Sequence, residues 1–116
     1  MEPRAVQERR RRHRGGVDLI CDFCSSESPV WFYPAESFFD EVGSRSVSDW
    51  MACEDCHRLI EAGDRDALAG RVVLTPTVKE GMASGIINET FAKHYARGLH
   101  RGFFDHRRGP ARRISV

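Results

Sequence analysis

Four cysteines are the residues of this 116-residue chain whose types and spacing predict chemistry most directly. They form two pairs, Cys21-x-x-Cys24 and Cys53-x-x-Cys56, with 28 residues between them. Each short loop can present two thiolates to a metal ion, and four thiolates complete a tetrahedral site. Disulfides or coincidental free thiols are the alternatives, but we expect no export signal and hence no oxidising compartment. The sequence therefore predicts a four-thiolate metal site.

Zinc is the metal that this ligand set favours, because four thiolates in a tetrahedron suit Zn²⁺. Rubredoxin-type iron sites share the separation of the pairs, but their knuckles usually read Cys-Pro-x-Cys-Gly. Here Ser25 and His57 follow the pairs, and neither pair contains a proline. A closed four-cysteine site leaves no open coordination position, so we expect a structural ion rather than a catalytic one. His57 is an alternative ligand, although we expect it at the surface or next to the site.

The segments around the pairs predict how the cysteines are positioned. The first pair forms a tight knuckle, and the bulky β-prone run PVWFYP, residues 29–34, follows as a strand. Residues 47–52 return as a second strand or as an irregular segment that leads into the second pair. The next segment, 57–62, has helical character, with Gly63 as its stop and Asp64 as the cap of a further short helix. A helix that starts at the second pair directs its free N–H groups toward the thiolates.

This order of knuckle, hairpin and helix predicts an α+β fold with a treble-clef-like four-cysteine module over residues 17–73. The segments CDFC, PVWFYPA and DWMACEDCHRLIEAGD in this stretch also resemble small treble-clef or zinc-ribbon-like zinc-finger proteins with four cysteine ligands, found in actinobacteria and their phages. That group is largely uncharacterised. The resemblance implies a bacterial cytoplasmic zinc module and implies no particular activity.

A long amphipathic helix is predicted over residues 74–102. Thr77 and Glu80 fit a capping box at its start, while Gly81 and Gly85 weaken it and allow a kink. An apolar stripe runs along the helix at steps of three to four residues: Val78, Met82, Ile86, Ile87, Phe91, Tyr95 and Leu99. A domain of this size needs apolar area, so we expect the stripe to pack on the zinc module. A partner-facing helix is the alternative.

Basic residues cluster at both ends of the chain. Residues 1–16 contain six arginines and are predicted to form a mobile arm, which either contacts an acidic partner or aids solubility. Residues 103–116 are predicted to form a basic tail. The candidate nucleic-acid or partner-binding residues are Lys93, Arg97, Arg101, Arg107, Arg108, Arg112 and Arg113, with Phe103 and Phe104 interleaved. Such a mixture can follow phosphates and stack on bases, but a solvated face is the alternative.

The formal net charge of +1 hides a segregation of charge along the chain. Residues 17–70 carry 12 acidic and three basic side chains, whereas residues 71–116 carry nine basic and three acidic ones. Phosphates repel a module with such an excess of acidic side chains, so the module is a poor nucleic-acid reader. Direct contact with nucleic acid is therefore expected only at the basic ends.

These observations favour a zinc-stabilised protein-interaction or regulatory module that docks on a partner such as a bacterial transcription or replication complex. The alternative is direct nucleic-acid binding through the C-terminal helix, the tail and the N-terminal arm. We expect no enzymatic activity, since the sequence has no phosphate loop or His-Glu-x-x-His motif and residues 30–52 contain no histidine general base. No apolar stretch reaches the roughly 18–20 residues of a membrane span, and we expect a cytoplasmic protein.

Overall fold

The computed structural model describes residues 19–39, 45–46 and 49–114. The predicted arm over residues 1–16 lies outside the described residues. The predicted α+β class is confirmed. The elements in chain order are β1 (Pro29–Tyr33), β2 (Phe38–Phe39), β3 (Arg45–Ser46), β4 (Trp50–Cys53), α1 (Glu54–Ala62), α2 (Arg65–Gly70), a 3-10 helix (Arg71–Leu74), α3 (Pro76–Ala83), α4 (Glu89–His106) and β5 (Arg112–Arg113).

A three-stranded antiparallel sheet adjoins the cysteines, with β1 between β4 and β5. The β-prone residues of β1 pair with β4 so that Tyr33 lies opposite Trp50, and both side chains are fully buried. The short strands β2 and β3 form a separate hairpin within the connection from β1 to β4. The predicted strand pair therefore exists, and β4 leads directly into α1, so that Cys53 sits where a strand becomes a helix.

The helix boundaries of α1 and α2 follow the predicted stop and cap. Gly63 ends α1 in the left-handed conformation at φ 73°, which glycine adopts without a steric penalty. The carboxylate of Asp64 accepts a hydrogen bond from the Ala67 amide and caps α2. Both sequence predictions are confirmed, and the sharp turn between the two helices brings the 3-10 helix back toward the cysteines.

The predicted single helix over residues 74–102 is wrong in detail, because a turn over residues 84–88 divides it into α3 and α4. Gly85 takes φ 80° in this turn, and Asn88 caps α4 by accepting from the Phe91 amide. The cap of α3 is Thr75, two residues before the predicted Thr77, since proline at the following position has no N–H to satisfy.

The predicted apolar stripe packs on the module only in part: Leu99 contacts the core, whereas other members face solvent. Ile86, Phe91 and Tyr95 are 80%, 55% and 36% exposed. The buried face of α4 consists instead of Ala92, Ala96, His100 and Phe103. The physical reason is size: alanines let the backbone of α4 approach α2 closely, and the larger aromatic residues one position earlier are then turned toward solvent.

The aromatic core joins α4 to the four-cysteine module. The ring of Phe103 is fully buried and lies within 5.5 Å of the ring centroids of Phe23, Tyr33 and Trp50. Because α4 continues to His106 and β5 pairs with β1, much of the segment predicted as a basic tail from residue 103 belongs to the fold. Phe103 is therefore a core residue and is not available for stacking on bases.

Candidate functional site

The first cysteine pair lies in a tight knuckle at the edge of the sheet. The amide of Ser25 donates to the Cys21 carbonyl at 2.9 Å, and the Cys21 amide donates to the Ser26 carbonyl at 2.8 Å. Asp22 fastens this knuckle to β4, because its amide donates to the Met51 carbonyl and its carboxylate accepts from the Met51 amide at 2.7 Å. The residue between the cysteines thus sets the position of the first pair relative to the second.

The second pair spans the junction of β4 and α1. Cys53 is the N-cap of α1, and its Sγ accepts a hydrogen bond from the Cys56 amide at 3.5 Å. Cys56 lies in the first turn and is fully buried. The first-turn amides and the positive end of the helix dipole therefore face sulfur atoms, which lowers the free-energy cost of negative charge there. The predicted placement of this pair at a helix N-terminus is confirmed.

The four sulfur atoms form one compact cluster. The Sγ atoms of Cys21, Cys24, Cys53 and Cys56 all lie within 4.8 Å of one another, and all four cysteines are free and buried. The Cys24 and Cys53 sulfurs are 3.7 Å apart. A tetrahedral ion with metal–sulfur bonds of about 2.3 Å needs sulfur–sulfur edges of about 3.8 Å. The donor set and its spacing therefore fit a tetrahedral metal ion.

Hydrogen bonds between the sulfurs couple the protonation of three of the thiols. Hydrogen bonding with Cys21 lowers the pKa of the Cys24 thiol well below its usual value. Hydrogen bonding with Cys24 raises the pKa of Cys21 to about 12, and hydrogen bonding with Cys21 raises that of Cys56 further. One sulfur thus becomes a thiolate at the expense of its neighbours. Four thiolates can coexist at this spacing only when a bound cation offsets their repulsion.

Arg71 is a site residue that the sequence did not predict. Its Nε donates to Cys56 Sγ at 3.1 Å, and its Nη2 lies 3.7 Å from Cys24 Sγ and 3.9 Å from Cys53 Sγ. Burial acts to lower the pKa of Arg71, but hydrogen bonds to the Cys56 and Cys24 sulfurs outweigh it and raise that pKa further. The guanidinium is therefore a fixed positive charge against three of the four sulfurs.

His57 stands beside the metal centre and outside the sulfur cluster. Its ring stacks on Trp31 with centroids 3.8 Å apart, and its Nδ1 lies 2.7 Å from the Tyr33 hydroxyl. The same hydroxyl donates to Glu61 at 2.9 Å. Within the described part of the chain, the group of ligand atoms that can surround an ion consists of the four cysteines. His57 occupies the adjacent position that the sequence predicted for it.

Most of the seven basic candidates contact acidic or aromatic side chains of the module. Arg97 pairs with Asp66 of α2, and Arg107 pairs with Glu61 at 3.4 Å. Arg108 and Arg113 face Glu36 and Glu54 at 3.9 and 3.3 Å. The Arg112 guanidinium lies over the Phe32 ring, and Lys93 is half-buried against α2 near Gly70, whereas Arg101 is exposed on α4. Five of the seven residues therefore have an acidic or aromatic partner within the molecule.

An open apolar groove lies where α3 ends and α4 begins. The amides of Ile86 and Ile87 donate to the Gly81 carbonyl at 2.9 and 3.2 Å, which fixes the turn. The space has a volume of about 660 Å³. Its lining residues, called the apolar groove below, are Met82, Gly85, Ile86, Ile87, Asn88, Glu89 and Phe91. Among described large apolar side chains, Ile86 is the most exposed, so the apolar groove combines concave shape with unburied apolar area.

The comparisons with known proteins add no relative: no family model, no curated protein and no solved structure matches this chain. Among the described residues, no helix is both long and apolar enough to cross a membrane. The fold and the sulfur cluster define the class of protein. The chain is a small α+β protein with a buried cluster of four cysteines that can hold a metal ion, and with a long C-terminal helix packed on that module.

Proposed function

We propose that this chain is a zinc-stabilised protein-interaction module that carries out no catalysis itself and acts in the cytoplasm. The observation that carries the proposal is the apolar groove, where Ile86 and Phe91 remain 80% and 55% exposed although the chain has a small core to fill. Exposed concave apolar surface of this kind is typical of sites that bind another protein. The metal centre supplies the rigidity that holds this surface in place.

Zinc is the proposed metal because buried thiolates in a tetrahedron are its preferred structural ligands. A four-sulfur site leaves no coordination position for a substrate or a water molecule, which supports a structural ion and a non-catalytic protein. Cys24 lies 3.7 Å from Cys53 and therefore couples the two pairs. Because metal binding and folding are linked in small modules, Cys24→Ser should lose the ion and much of the fold.

Native mass spectrometry of the reduced protein tests the metal directly. We expect one zinc ion per chain in the wild type and none in Cys24→Ser, with loss of the far-ultraviolet helix signal in that variant. A matched control is Ser26→Ala, which changes a neighbouring side chain without removing a sulfur. A folded wild-type protein that carries iron, or that carries no metal, would contradict the zinc assignment.

The proposed occupant of the apolar groove is an amphipathic helix of another protein. Ile86, Ile87 and Phe91 supply aliphatic and aromatic surface, and Asn88 and Glu89 add polar groups to the same lining. Met82 adds a flexible side chain of the type that adapts to varied apolar partners. Glu89 is the one charged residue of the lining, so the groove presents no basic side chain. A groove with apolar side chains and no basic residue fits the apolar face of a helix and offers little attraction to a phosphate backbone.

Direct nucleic-acid binding has less support than a protein partner. Of the basic candidates, Arg97, Arg107, Arg108 and Arg113 each contact an acidic side chain of the same chain. A phosphate has to compete with these contacts, because each carboxylate already occupies one side of the guanidinium. Of the two interleaved aromatic residues, Phe103 is fully buried, and the Arg65 guanidinium lies over the half-buried Phe104 ring. Nucleic acid is therefore an alternative outcome of the test.

Selection from a displayed library of helical peptides tests the proposed occupant on the metal-loaded protein. We expect enriched peptides with apolar residues at i, i+3, i+4 and i+7, and NMR shift changes at Met82, Ile87 and Phe91. Ile86→Asp, at an 80% exposed position, should weaken the selected peptides by about tenfold or more, since it places a carboxylate among apolar contacts. Glu27→Arg, at an exposed position in the loop before β1, is the matched control and should have no effect.

Three results would refute this occupant. The first is enrichment of peptides whose binding Ile86→Asp leaves unchanged. The second is a concentration-dependent dimer, measured by light scattering, that Ile86→Asp dissociates, because the groove would then hold a second copy of this chain. The third is a nucleic-acid duplex that competes with the selected peptides and whose affinity falls steeply with salt concentration.

A further inference from the structure

We infer that Arg71 is a positioning residue that connects the metal centre to the C-terminal helices: its guanidinium stabilises the metal-bound thiolates and anchors the 3-10 helix and α3. This inference depends on the metal centre and does not depend on what occupies the apolar groove. Arg71 lies 15 residues after Cys56 in the chain, yet it contacts sulfurs from both cysteine pairs. Its Nη2 also lies 3.9 Å from Cys53 Sγ.

The charge of the site explains why a guanidinium is needed. Four thiolates around a divalent ion leave a net charge of about −2 in buried surroundings, where uncompensated charge is costly. The backbone supplies hydrogen bonds, from the Phe23 amide to Cys21 at 3.4 Å and from the Cys56 amide to Cys53 at 3.5 Å. Arg71 adds a full positive charge and donates to the remaining two sulfurs. Each donation draws electron density from sulfur, which stabilises the thiolate and lowers its reactivity toward electrophiles.

The position of the guanidinium is itself fixed. The Arg71 side chain is 25% exposed, and its Nη2 lies 3.8 Å from the Asp55 carboxylate in the first turn of α1. Asp55 therefore holds the solvent side of the guanidinium while the sulfurs hold the inner side. A planar group with several donors suits this arrangement, whereas the single ammonium of lysine can satisfy only part of it.

The backbone of Arg71 carries this constraint to α3. Arg71 begins the 3-10 helix, and the Val72 carbonyl accepts from both the amide and the hydroxyl of Thr75 at 3.1 and 2.9 Å. The Thr75 hydroxyl oxygen in turn accepts from the Val78 amide and caps α3. Loss of the contacts between Arg71 and the sulfurs should therefore loosen the start of α3 while α1 keeps its own cap.

The experiment compares Arg71→Met, Arg71→Lys and the control Arg58→Met in the zinc-loaded full chain. Arg58 is a matched control because, like Arg71, it contacts Asp55. It differs from Arg71 in lying on α1 and in having a side chain that is 70% exposed. The readouts are zinc affinity by competition with a chelator, the rate of thiol alkylation, and amide hydrogen exchange over residues 72–83 and 54–62.

We expect Arg71→Met to lower zinc affinity by about 10- to 100-fold, because removal of a residue that hydrogen-bonds to metal ligands generally has an effect of this size. Thiol alkylation should become faster, and exchange should rise over residues 72–83 more than over 54–62. Arg71→Lys should restore part of each effect, and Arg58→Met should resemble the wild type. Arg71→Lys also keeps the test decisive if Arg71→Met does not fold, since a lysine variant equal to the wild type in all readouts refutes the inference. Zinc affinity within threefold of the wild type in Arg71→Met, or equal exchange changes in both segments, refutes it as well.

Discussion

His100 makes a specific prediction about how the stability of this protein depends on pH. The side chain is 4% exposed, its ring lies 5.2 Å from the Phe23 ring, and its Nδ1 has no hydrogen-bond partner among the described residues. Burial lowers the pKa of His100 from 6.5 to about 4. Because the folded protein disfavours the imidazolium ion, acid should destabilise the fold through this one residue.

Proton linkage gives the sign and the size of the effect of pH on the free energy of unfolding. Above pH 6.5 the imidazole is neutral in both the folded and the unfolded chain, so His100 makes stability independent of pH there. Below pH 6.5 the unfolded chain binds a proton that the folded chain does not bind until pH falls to about 4. The free energy of unfolding therefore falls across this window by about 1.4 kcal/mol per pH unit, which is about 2 kcal/mol at pH 5 and about 3 kcal/mol in total.

Two substitutions separate titration from polarity. His100→Leu and His100→Gln both remove the titrating group, and His100→Leu also removes the buried polar atom, which costs about 1 kcal/mol or more when unpaired. Between pH 7.5 and pH 5, the free energy of unfolding of both variants should fall by about 2 kcal/mol less than that of the wild type. His100→Leu should in addition match or exceed wild-type stability at pH 7.5.

Urea unfolding at a fixed free zinc concentration measures this difference. Protonation of the cysteine thiolates also weakens the protein in acid, but that effect is common to all three proteins and cancels when variants are compared with the wild type. An NMR titration of the His100 ring in the folded protein gives an independent value. Parallel stability curves for wild type and variants, or a ring that titrates near pH 6.5, would refute this reasoning.

Two further predictions concern positions where backbone geometry limits the side chain. A Cβ at Gly102 would lie 2.3 Å from the buried Phe38 ring, whereas one at Gly70 would meet only the end of Lys93 at 3.9 Å. Gly102→Ala should therefore lower the free energy of unfolding by about 1–3 kcal/mol in thermal or urea unfolding. Gly70→Ala should raise it by up to about 1 kcal/mol. Equal effects of the two substitutions would contradict the predicted clash. Ser25 has φ 68° in the knuckle, so Ser25→Val should be less stable than Ser25→Gly by about 1–2 kcal/mol, and the reverse order would show that this conformation costs nothing.

Local signals were sufficient to predict the metal module. The Cys-x-x-Cys spacing, the stop at Gly63 and the cap at Asp64 each depend on the conformation of a few adjacent residues, and the structure confirms all of them. Strand β1 was also predictable, because a β-prone run bounded by prolines favours an extended conformation. Local chemistry of this kind constrains structure without knowledge of the rest of the fold.

The C-terminal half was harder to predict because its structure depends on contacts between distant segments. Counting apolar residues at helical spacing selects the face with Phe91 and Tyr95, but the close approach of α4 to α2 requires small residues at Ala92 and Ala96. His100 lies in the core although it stands between the basic residues Arg97 and Arg101 in the sequence. A hydrophobic pattern favours large apolar side chains and contains no information about how closely two helices pack.

Arg71 could not have been identified from its place in the sequence. It is one of nine basic residues after position 70, and the contact with Cys24 spans 47 residues of chain. Only the turn between α1 and α2 returns the 3-10 helix to the sulfurs. A basic residue beside a thiolate cluster is a reasonable expectation for charge compensation, but its identity depends on the tertiary fold.

The segregation of charge along the chain has a different meaning once the fold is known. The acidic module and the basic C-terminal segment face each other, through pairs such as Arg107 with Glu61 and Arg113 with Glu54. Each exposed pair contributes little to stability, but together the pairs favour one docking of the segment on the module over others. A charged partner would have to compete with these intramolecular contacts for the same arginines. Recognition at the apolar groove should then depend mainly on apolar burial and change little with salt concentration, whereas phosphate contact would weaken steeply as salt rises.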